Sequence, residues 1–303
     1  AGSSGATQCK ATDLEILITK LNCMGYIASW QTLRASDFGV PQSRERIYIV
    51  AFLAVSDDSP SMQVPANRDD EPAELPEWWH QVGQLIREMK IETLPIEDFL
   101  LDADDDRLGA WERHRNASSA AKSEKSKTKA ANAKSVKLEK TTEVDHIQAF
   151  EEADLPWPPK WDGQFQEKVQ HLCPRMAQVV YFFEQMALNT LKTEGKSPVN
   201  FKLQVGDVNM SMKWCRFLEA TIPCLVGSSH MWLLQALEHN DCDYKRLGGR
   251  DMIGEEALNL QCFPQQALNQ DFMSKLAPRD AMDLAGNAFC GAKCAAVITA
   301  AFC

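Results

Sequence analysis

The first apolar repeat of the chain has the spacing of a helix. Its apolar residues recur three or four positions apart and would form one face: Leu14, Leu17, Ile18, Leu21 and Met24. Thr12 and Glu15 fit a capping box, in which the two side chains accept the unpaired N–H groups at the helix start. Gly25 stands where a glycine commonly ends a helix. The pattern therefore predicts one helix between these two signals.

Two β-rich stretches follow, separated by a polar turn. Residues 26–33 and 47–55 are predicted as partner strands. The unbroken apolar run from Ile47 to Phe52 predicts that the second strand is buried on both faces. In the turn, Gly39 permits a positive φ and Pro41 fixes φ near about −65°. This order of elements fits the far edge of an α/β sheet.

The amino-acid composition changes in the middle of the chain. Residues 57–106 are rich in Asp, Glu and Pro, which predicts a solvated, flexible segment; the final acidic run lacks the glycine and terminal glutamate of a calcium loop. Within it, residues 78–89 predict an amphipathic helix, and residues 94–101 an apolar patch that docks on the folded body. Residues 165–191 then predict a helix interrupted by Pro174.

Residues 113–140 carry the opposite charge, with lysines and arginines spaced by Ala and Ser. Low hydrophobicity and high positive charge predict disorder, here over about residues 102–148. Two interpretations remain open. The stretch is either an arm that lies along DNA phosphates and releases counterions, or a polar linker whose charge keeps it soluble.

Composition bounds the class of protein. A chain of 303 residues with 45% hydrophobic residues can bury the core of one large or two ordinary domains. It has no unbroken apolar run of about 18 residues and no signal-peptide pattern, so no membrane span is expected. Ten cysteines without a C-x-x-C pair favour reduced thiols and an intracellular protein, nuclear if eukaryotic. The chain does not begin with Met and is expected to be a fragment.

The polar turn carries two arginines, Arg44 and Arg46. They share a face if this part of the chain is already extended. Paired guanidiniums suit the recognition of phosphate or a base carbonyl, whereas the alternative is two surface arginines in a salt-bridged hairpin. The formal net charge of −10 weighs against a nucleic-acid binder unless positive charge is locally concentrated.

Four segments together resemble a known family. Residues 39–46, Gly-Val-Pro-Gln-Ser-Arg-Glu-Arg, resemble the G-V-P-Q-x-R-x-R motif of DNA cytosine-5 methyltransferases, and residues 21–26 resemble the L-x-x-x-G-Y before it. Residues 246–264 resemble the R-x-L-T-x-x-E-x-x-x-L-Q-x-F-P motif, with Gly248 and Gly249 near the usual Thr. Residues 284–289 resemble the final G-N-A/S motif. The chain is therefore similar to the C-terminal portion of such an enzyme.

The resemblance implies an α/β fold class, the C-terminal part of a Rossmann-like S-adenosylmethionine-dependent methyltransferase fold with an inserted target-recognition domain. Residues 1–56 would end the catalytic α/β domain. Residues 57–245 would form the target-recognition region with its acidic and basic flexible stretches. Residues 246–303 would return to the catalytic domain and close it with the C-terminal helix.

The resemblance also implies roles for individual side chains. Arg46 and Arg44 carry over as catalytic: Arg46 would contact the carbonyl of a flipped cytosine and the adjacent phosphate, and Arg44 would hold nearby groups in place. Gln42 would support the bound substrate in the same way. Ser228 and Ser229 are expected to contact the DNA.

Near the C-terminus, Asn287 and Ala288 carry over as neighbours of S-adenosylmethionine. Glu256, Leu260 and Phe263 would lie in a helix that braces the recognition domain and are expected to be structural. Neither the acidic run nor the cysteines predict a metal site.

The family's F-x-G-x-G cofactor loop, P-C-Q nucleophile and E-N-V segment do not occur in this chain. Its single Pro-Cys dipeptide, Pro223-Cys224, follows the arginine turn and precedes Leu225, so Cys224 is interpreted as part of the recognition region. The chain alone is therefore predicted inactive, needing an N-terminal half from the same longer polypeptide or a separate subunit.

The expected function is cytosine-5 methylation of double-stranded DNA with S-adenosylmethionine as cofactor. Two alternatives remain: a non-catalytic DNA-binding remnant of such an enzyme, and an RNA cytosine-5 methyltransferase, which the arginine turn does not exclude.

Overall fold

The protein combines helices with two antiparallel sheets, a mixed structure consistent with the expected α/β fold class. The computed structural model describes residues 12–53, 77–113, 115, 144–197, 200–236, 247–263, 273 and 276–302. The chain divides into two compact units. The smaller comprises residues 1–34, 45–91 and 293–303, and the larger comprises residues 35–44 and 92–292.

The smaller unit begins with helix α1, Asp13–Cys23. Thr12 caps it, accepting from the backbone N–H of Glu15, whose side chain accepts the N–H of Thr12 in return. The predicted capping box is confirmed. The helix stops just before Gly25, as predicted.

Strands β1, Tyr26–Arg34, and β2, Glu45–Leu53, form a two-stranded antiparallel sheet, which confirms the predicted pairing. The prediction that β2 is buried on both faces is wrong, because Ile47 is 50% and Ile49 37% exposed. One face of the hairpin is covered: Gln31 lies against helix α2. The opposite face is open among the described residues, so the apolar run does not become a core strand.

Helix α2, Glu77–Glu88, confirms the predicted amphipathic helix and buries Val82 and Ile86. The side chain of Gln31 on β1 approaches Gly83 of this helix.

The larger unit contains a four-stranded antiparallel sheet in the order β4-β3-β5-β6. Its strands are β3 (Gln204–Asp207), β4 (Phe217–Glu219), β5 (Met231–Gln235) and β6 (Gly248–Asp251). The central strand β5 is buried along residues 231–234, so this sheet forms the middle of the core.

Helices α3, Gly163–Val169, and α4, Pro174–Thr193, pack beside this sheet. Pro174 occupies the first turn of α4, which confirms the predicted break at this residue. A second apolar cluster includes helices α5, Gly254–Asn259, and α6, Pro278–Asn287. The buried Ile96, in a 3₁₀ turn over Ile96–Phe99, joins that cluster and confirms the predicted docking of the apolar patch.

The helical stretch at residues 106–113 and the start of another, residues 144–152, lie inside the range predicted to be disordered. The prediction does not hold there, because Leu108 and His146 are buried. In the acidic run, Arg107 donates to Asp105 and lowers the pKa of that carboxyl to about 2. Most of the basic stretch lies outside the described residues.

The last helix is α7, Gly291–Phe302. Together, residues 279–302 are long and apolar enough, by length and composition alone, to cross a membrane. However, the structure interrupts this stretch at residues 288–290, and Lys293 in α7 is fully buried. Helices in a protein core can pass the same test of length and composition, so this stretch is weak evidence for a membrane span.

Candidate active site around the arginine turn

The turn at residues 35–44 is fixed at both ends. The backbone N–H of Ala35 donates to the carbonyl of Arg44 at 3.1 Å, and Gly39 adopts the predicted positive φ, +81°. Gln42 is fully buried and forms a parallel bridge with Ile222, which exchanges backbone hydrogen bonds of 2.8 and 2.9 Å with the turn. The turn is therefore attached to residues 222–229, named here the 222–229 segment.

Arg44 joins three parts of the larger unit. The residue is 4% exposed, and its guanidinium donates to the carbonyls of Leu225 at 2.5 Å, Ala288 at 2.9 Å and Gly286 at 3.3 and 3.4 Å. Its Nη1 also lies 3.9 Å from the Sγ of Cys224. A guanidinium surrounded by carbonyls in this way orients backbone, so Arg44 occupies the place of a positioning residue.

Gly286 is required by a close approach of two backbones. A Cβ at this position would lie 2.2 Å from the carbonyl carbon of Val226 and 2.4 Å from the nitrogen of Gly227. The end of α6 therefore rests directly on the 222–229 segment. Any side chain at residue 286 would push the two apart.

Asn287 closes α6, and its Nδ2 donates to the carbonyl of Asp283 at 2.9 Å. Its side chain is exposed and lies over Gly227, where a Cβ would come within 2.9 Å of Nδ2. Ala288 is the C-cap, and α7 begins only at Gly291. The motif therefore forms the exposed end of one helix and the connection to the next.

Ser228 and Ser229 lie in the same segment but differ in exposure. Ser229 is buried, and its Oγ accepts the backbone N–H of Val226 at 2.9 Å, closing its own turn. Ser228 is exposed, and its carbonyl accepts from Asn209 at 2.7 Å. Of the two, Ser228 is the one available at the surface.

Arg46 belongs to the smaller unit. It lies in β2 opposite Leu33, is half-buried, and donates to the carbonyl of Glu45 at 2.7 Å. Arg34 forms an ion pair with Glu45 at the same end of the hairpin. All predicted site residues other than Arg46 are thus gathered in the larger unit.

The expected structural role of Glu256 is supported by its contacts. The carboxylate is fully buried and accepts from the backbone N–H groups of Ile253 and Leu101, both at 3.0 Å. Arg250 binds it through both guanidinium nitrogens, at 2.7 and 2.8 Å. Through its two oxygens, Glu256 thus links strand β6, the start of helix α5 and the 94–101 patch.

No sequence pattern indicates that residues 222–229 are the partner of both the turn and α6. Leu225 follows Arg44 by 181 residues, and no local pattern spans that distance.

Comparison with known proteins identifies the family of this chain. The family described as C-5 cytosine-specific DNA methylase matches residues 6–302. The chain belongs to this family. Its family membership therefore rests on a match over nearly the whole chain.

Several curated relatives of this C-5 methylase family member are bacterial Type II methyltransferases. M.DsaV of Dactylococcopsis salina is 30% identical over 111 residues, covering 37% of this chain and 26% of the relative. M.NlaIV of Neisseria lactamica is 40% identical over 52 residues, 17% of this chain and 12% of the relative. M.NaeI of Lentzea aerocolonigenes is 57% identical over 36 residues, 12% and 9% of the two chains. The matched part thus covers about a quarter or less of each.

Proposed function

We propose that this member of the C-5 DNA methylase family is the C-terminal half of a DNA cytosine-5 methyltransferase. The reaction transfers a methyl group to carbon 5 of a cytosine flipped out of the duplex. The observation that carries the proposal is Arg44, which ties the arginine turn, the 222–229 segment and the end of α6 together. Two segments of the family's resemblance, residues 39–46 and 284–289, thus meet at one guanidinium.

S-adenosylmethionine fits one feature of this arrangement. The Asn287 amide is exposed at a helix end, beside Gly227, which has no side chain to cover it. Asn287 would hold the cofactor through this amide, and Ala288, whose carbonyl is bound by Arg44, would fix the position of the contact. When bound, S-adenosylmethionine supplies the methyl group. The glycine-rich part of its site would come from the N-terminal half.

Arg46 is assigned to the flipped base. A guanidinium can donate to the cytosine carbonyl and to the adjacent phosphate, and so stabilise the charge that develops as a nucleophile adds to the ring. Arg44 orients backbone carbonyls of the larger unit, and Gln42 fixes the turn. Ser228, exposed in the 222–229 segment, contributes a hydroxyl on the DNA side.

The smaller unit carries a candidate surface for binding the N-terminal half. Trp30, Ile47, Ile49 and Leu53 share one face of the β1–β2 hairpin and are 37% to 55% exposed. A contiguous exposed apolar face marks an interaction surface, and a two-stranded sheet has edges on which further strands can pair. We assign this face to the missing half, because the curated relatives extend far beyond the matched region.

The test is reconstitution of the chain with its N-terminal half, followed by transfer of a labelled methyl group from S-adenosylmethionine to duplex DNA. Arg46→Ala should lower turnover by at least about tenfold, because charge stabilisation of the reacting base is lost. Arg34→Ala is the matched control: it lies at the same end of the hairpin, is exposed, and should change turnover less than about twofold. Unchanged turnover in Arg46→Ala would remove Arg46 from the site.

The same experiment separates the alternatives. DNA binding without any methyl transfer by the reconstituted protein would identify a non-catalytic remnant. Preferential labelling of RNA would identify an RNA cytosine methyltransferase. Sequencing the upstream reading frame adds an independent check, since F-x-G-x-G and P-C-Q should occur there.

A further inference from the structure

Three side chains that the arginine-turn site does not use converge at one end of the larger unit's sheet. His171 lies between α3 and α4, His230 directly precedes β5, and Asp251 ends β6. Their possible ligand atoms all lie within 4.8 Å of one another. Two imidazoles and a carboxylate from three separate segments are a recurring ligand set for transition metals.

The contacts are centred on Asp251. One carboxylate oxygen lies 2.8 Å from Nε2 of His230, and the other lies 2.9 Å from Nε2 of His171. The side chains of Asp251 and His171 are each 3% exposed, whereas that of His230 is 34% exposed. The cluster is therefore closed on two sides and reachable from solvent on the His230 side.

His171 supplies a second, independent observation. Although its Nε2 lies close to Asp251, neither ring nitrogen has a correctly directed hydrogen bond among the described residues. Buried polar atoms normally have such partners, and leaving them without one is costly. The ring is also stacked on Trp232, with 6.2 Å between centroids and 14° between planes, so the nitrogen is held in place. A metal ion is a partner that accepts the imidazole lone pair without a hydrogen bond.

We propose that His171, His230 and Asp251 bind one divalent transition-metal ion of the zinc type. Two imidazole ligands disfavour Mg²⁺ and Ca²⁺, which take oxygen ligands. Three protein ligands leave a fourth position for water on the exposed His230 side. The ion would fasten β5, β6 and the α3–α4 connection to one another.

Neighbouring charges fit a ligating carboxylate. Arg115 donates to the Asp251 oxygen on the His171 side at 2.8 Å, as outer partners of metal-bound carboxylates do. Asp207, a second buried carboxylate, accepts the backbone N–H of His230 at 2.9 Å and adds negative charge nearby. The competing explanation is a metal-free network in which Arg115 and the histidines only neutralise Asp251. The two explanations differ in one measurable property, metal binding.

The test uses the full chain, stripped with a chelator and titrated with Zn²⁺ and, separately, with Co²⁺. We expect one ion per chain, a rise in melting temperature on adding Zn²⁺, and a cobalt spectrum without thiolate charge-transfer absorption. The last condition matters because the chain has ten cysteines, which could bind either ion.

Variants assign the ligands. His230→Gln should fold, because that side chain is one-third exposed, and should weaken Zn²⁺ binding by at least about tenfold. Asp251→Asn should also weaken Zn²⁺ binding by at least about tenfold. His80→Gln, at an exposed position of α2, is the control and should leave affinity unchanged. Equal affinity in the wild type and His230→Gln, thiolate absorption with Co²⁺, or no binding by the wild type would each overturn the proposal.

Discussion

The two compact units differ in how they place their charged and apolar side chains among the described residues. The larger unit buries charged groups together with their partners: Arg44 with carbonyls, Glu256 with Arg250 and backbone N–H groups. The smaller unit leaves large apolar side chains in solvent, among them Trp30 and Ile49. The difference indicates that the larger unit completes its own core, whereas the hairpin presents a face suited to another surface.

The same contrast separates the two arginines of one motif. Arg44 and Arg46 are two positions apart, yet Arg44 is nearly inaccessible and Arg46 is half-buried on a strand. One short motif thus combines a buried residue that orients backbone carbonyls with a more exposed residue on the adjoining strand.

The largest expected effect tests whether the cores differ. Leu233→Ala, at a fully buried position of β5, should lower the free energy of unfolding by about 2–5 kcal/mol, because it removes buried methyl groups and leaves a cavity. Ile49→Ala, in the half-open β2, should cost less than about 1 kcal/mol. Urea denaturation followed by circular dichroism measures both. Equal losses would mean that the hairpin is packed as tightly as the sheet.

The next test compares the arginines by stability. Arg44→Ala should cost about 2–3 kcal/mol, since it leaves buried carbonyls without their charged donor. Arg44→Lys should recover less than half of that loss, because an ammonium cannot reach the same carbonyls as a planar fork. Arg46→Ala should change stability by less than about 0.5 kcal/mol. A large loss for Arg46→Ala would instead indicate that both arginines are structural.

The smallest effect concerns pH and the interior of the larger unit. Burial lowers the pKa of His146 below its ordinary value of 6.5, although its hydrogen bond with Gln178 opposes the shift. The unfolded chain therefore takes up this proton at a higher pH than the folded chain, so stability is full above about pH 6.5 and falls below it. The melting temperature should drop more between about pH 7.5 and 5.5 in the wild type than in His146→Gln. Identical drops would exclude this histidine as the cause.

Local signals predicted the elements well. The capping box of Thr12 and Glu15, the break at Pro174 and the positive φ of Gly39 all depend on residues a few positions apart, so the sequence alone specifies them. The apolar run of β2 was misinterpreted because burial depends on what covers a strand, and the same apolar run can occur in a strand with one exposed face.

The non-local part of the site could not be predicted, because the residues that form it are far apart along the sequence. Residues 222–229 become the partner of the turn only through tertiary contacts, and His171, His230 and Asp251 meet only because β5 and β6 pair in one register. The helix at residues 106–113 was missed because its charged composition outweighed apolar anchors such as Leu108.

The reach of Arg44 also constrains how the protein can be made. Its acceptor on Ala288 lies 244 residues downstream, so during synthesis the guanidinium cannot make this contact until that whole stretch has left the ribosome. A product that stops before Gly286 would lack the carbonyls of Gly286 and Ala288, and its turn would stay incompletely closed and open to proteolysis.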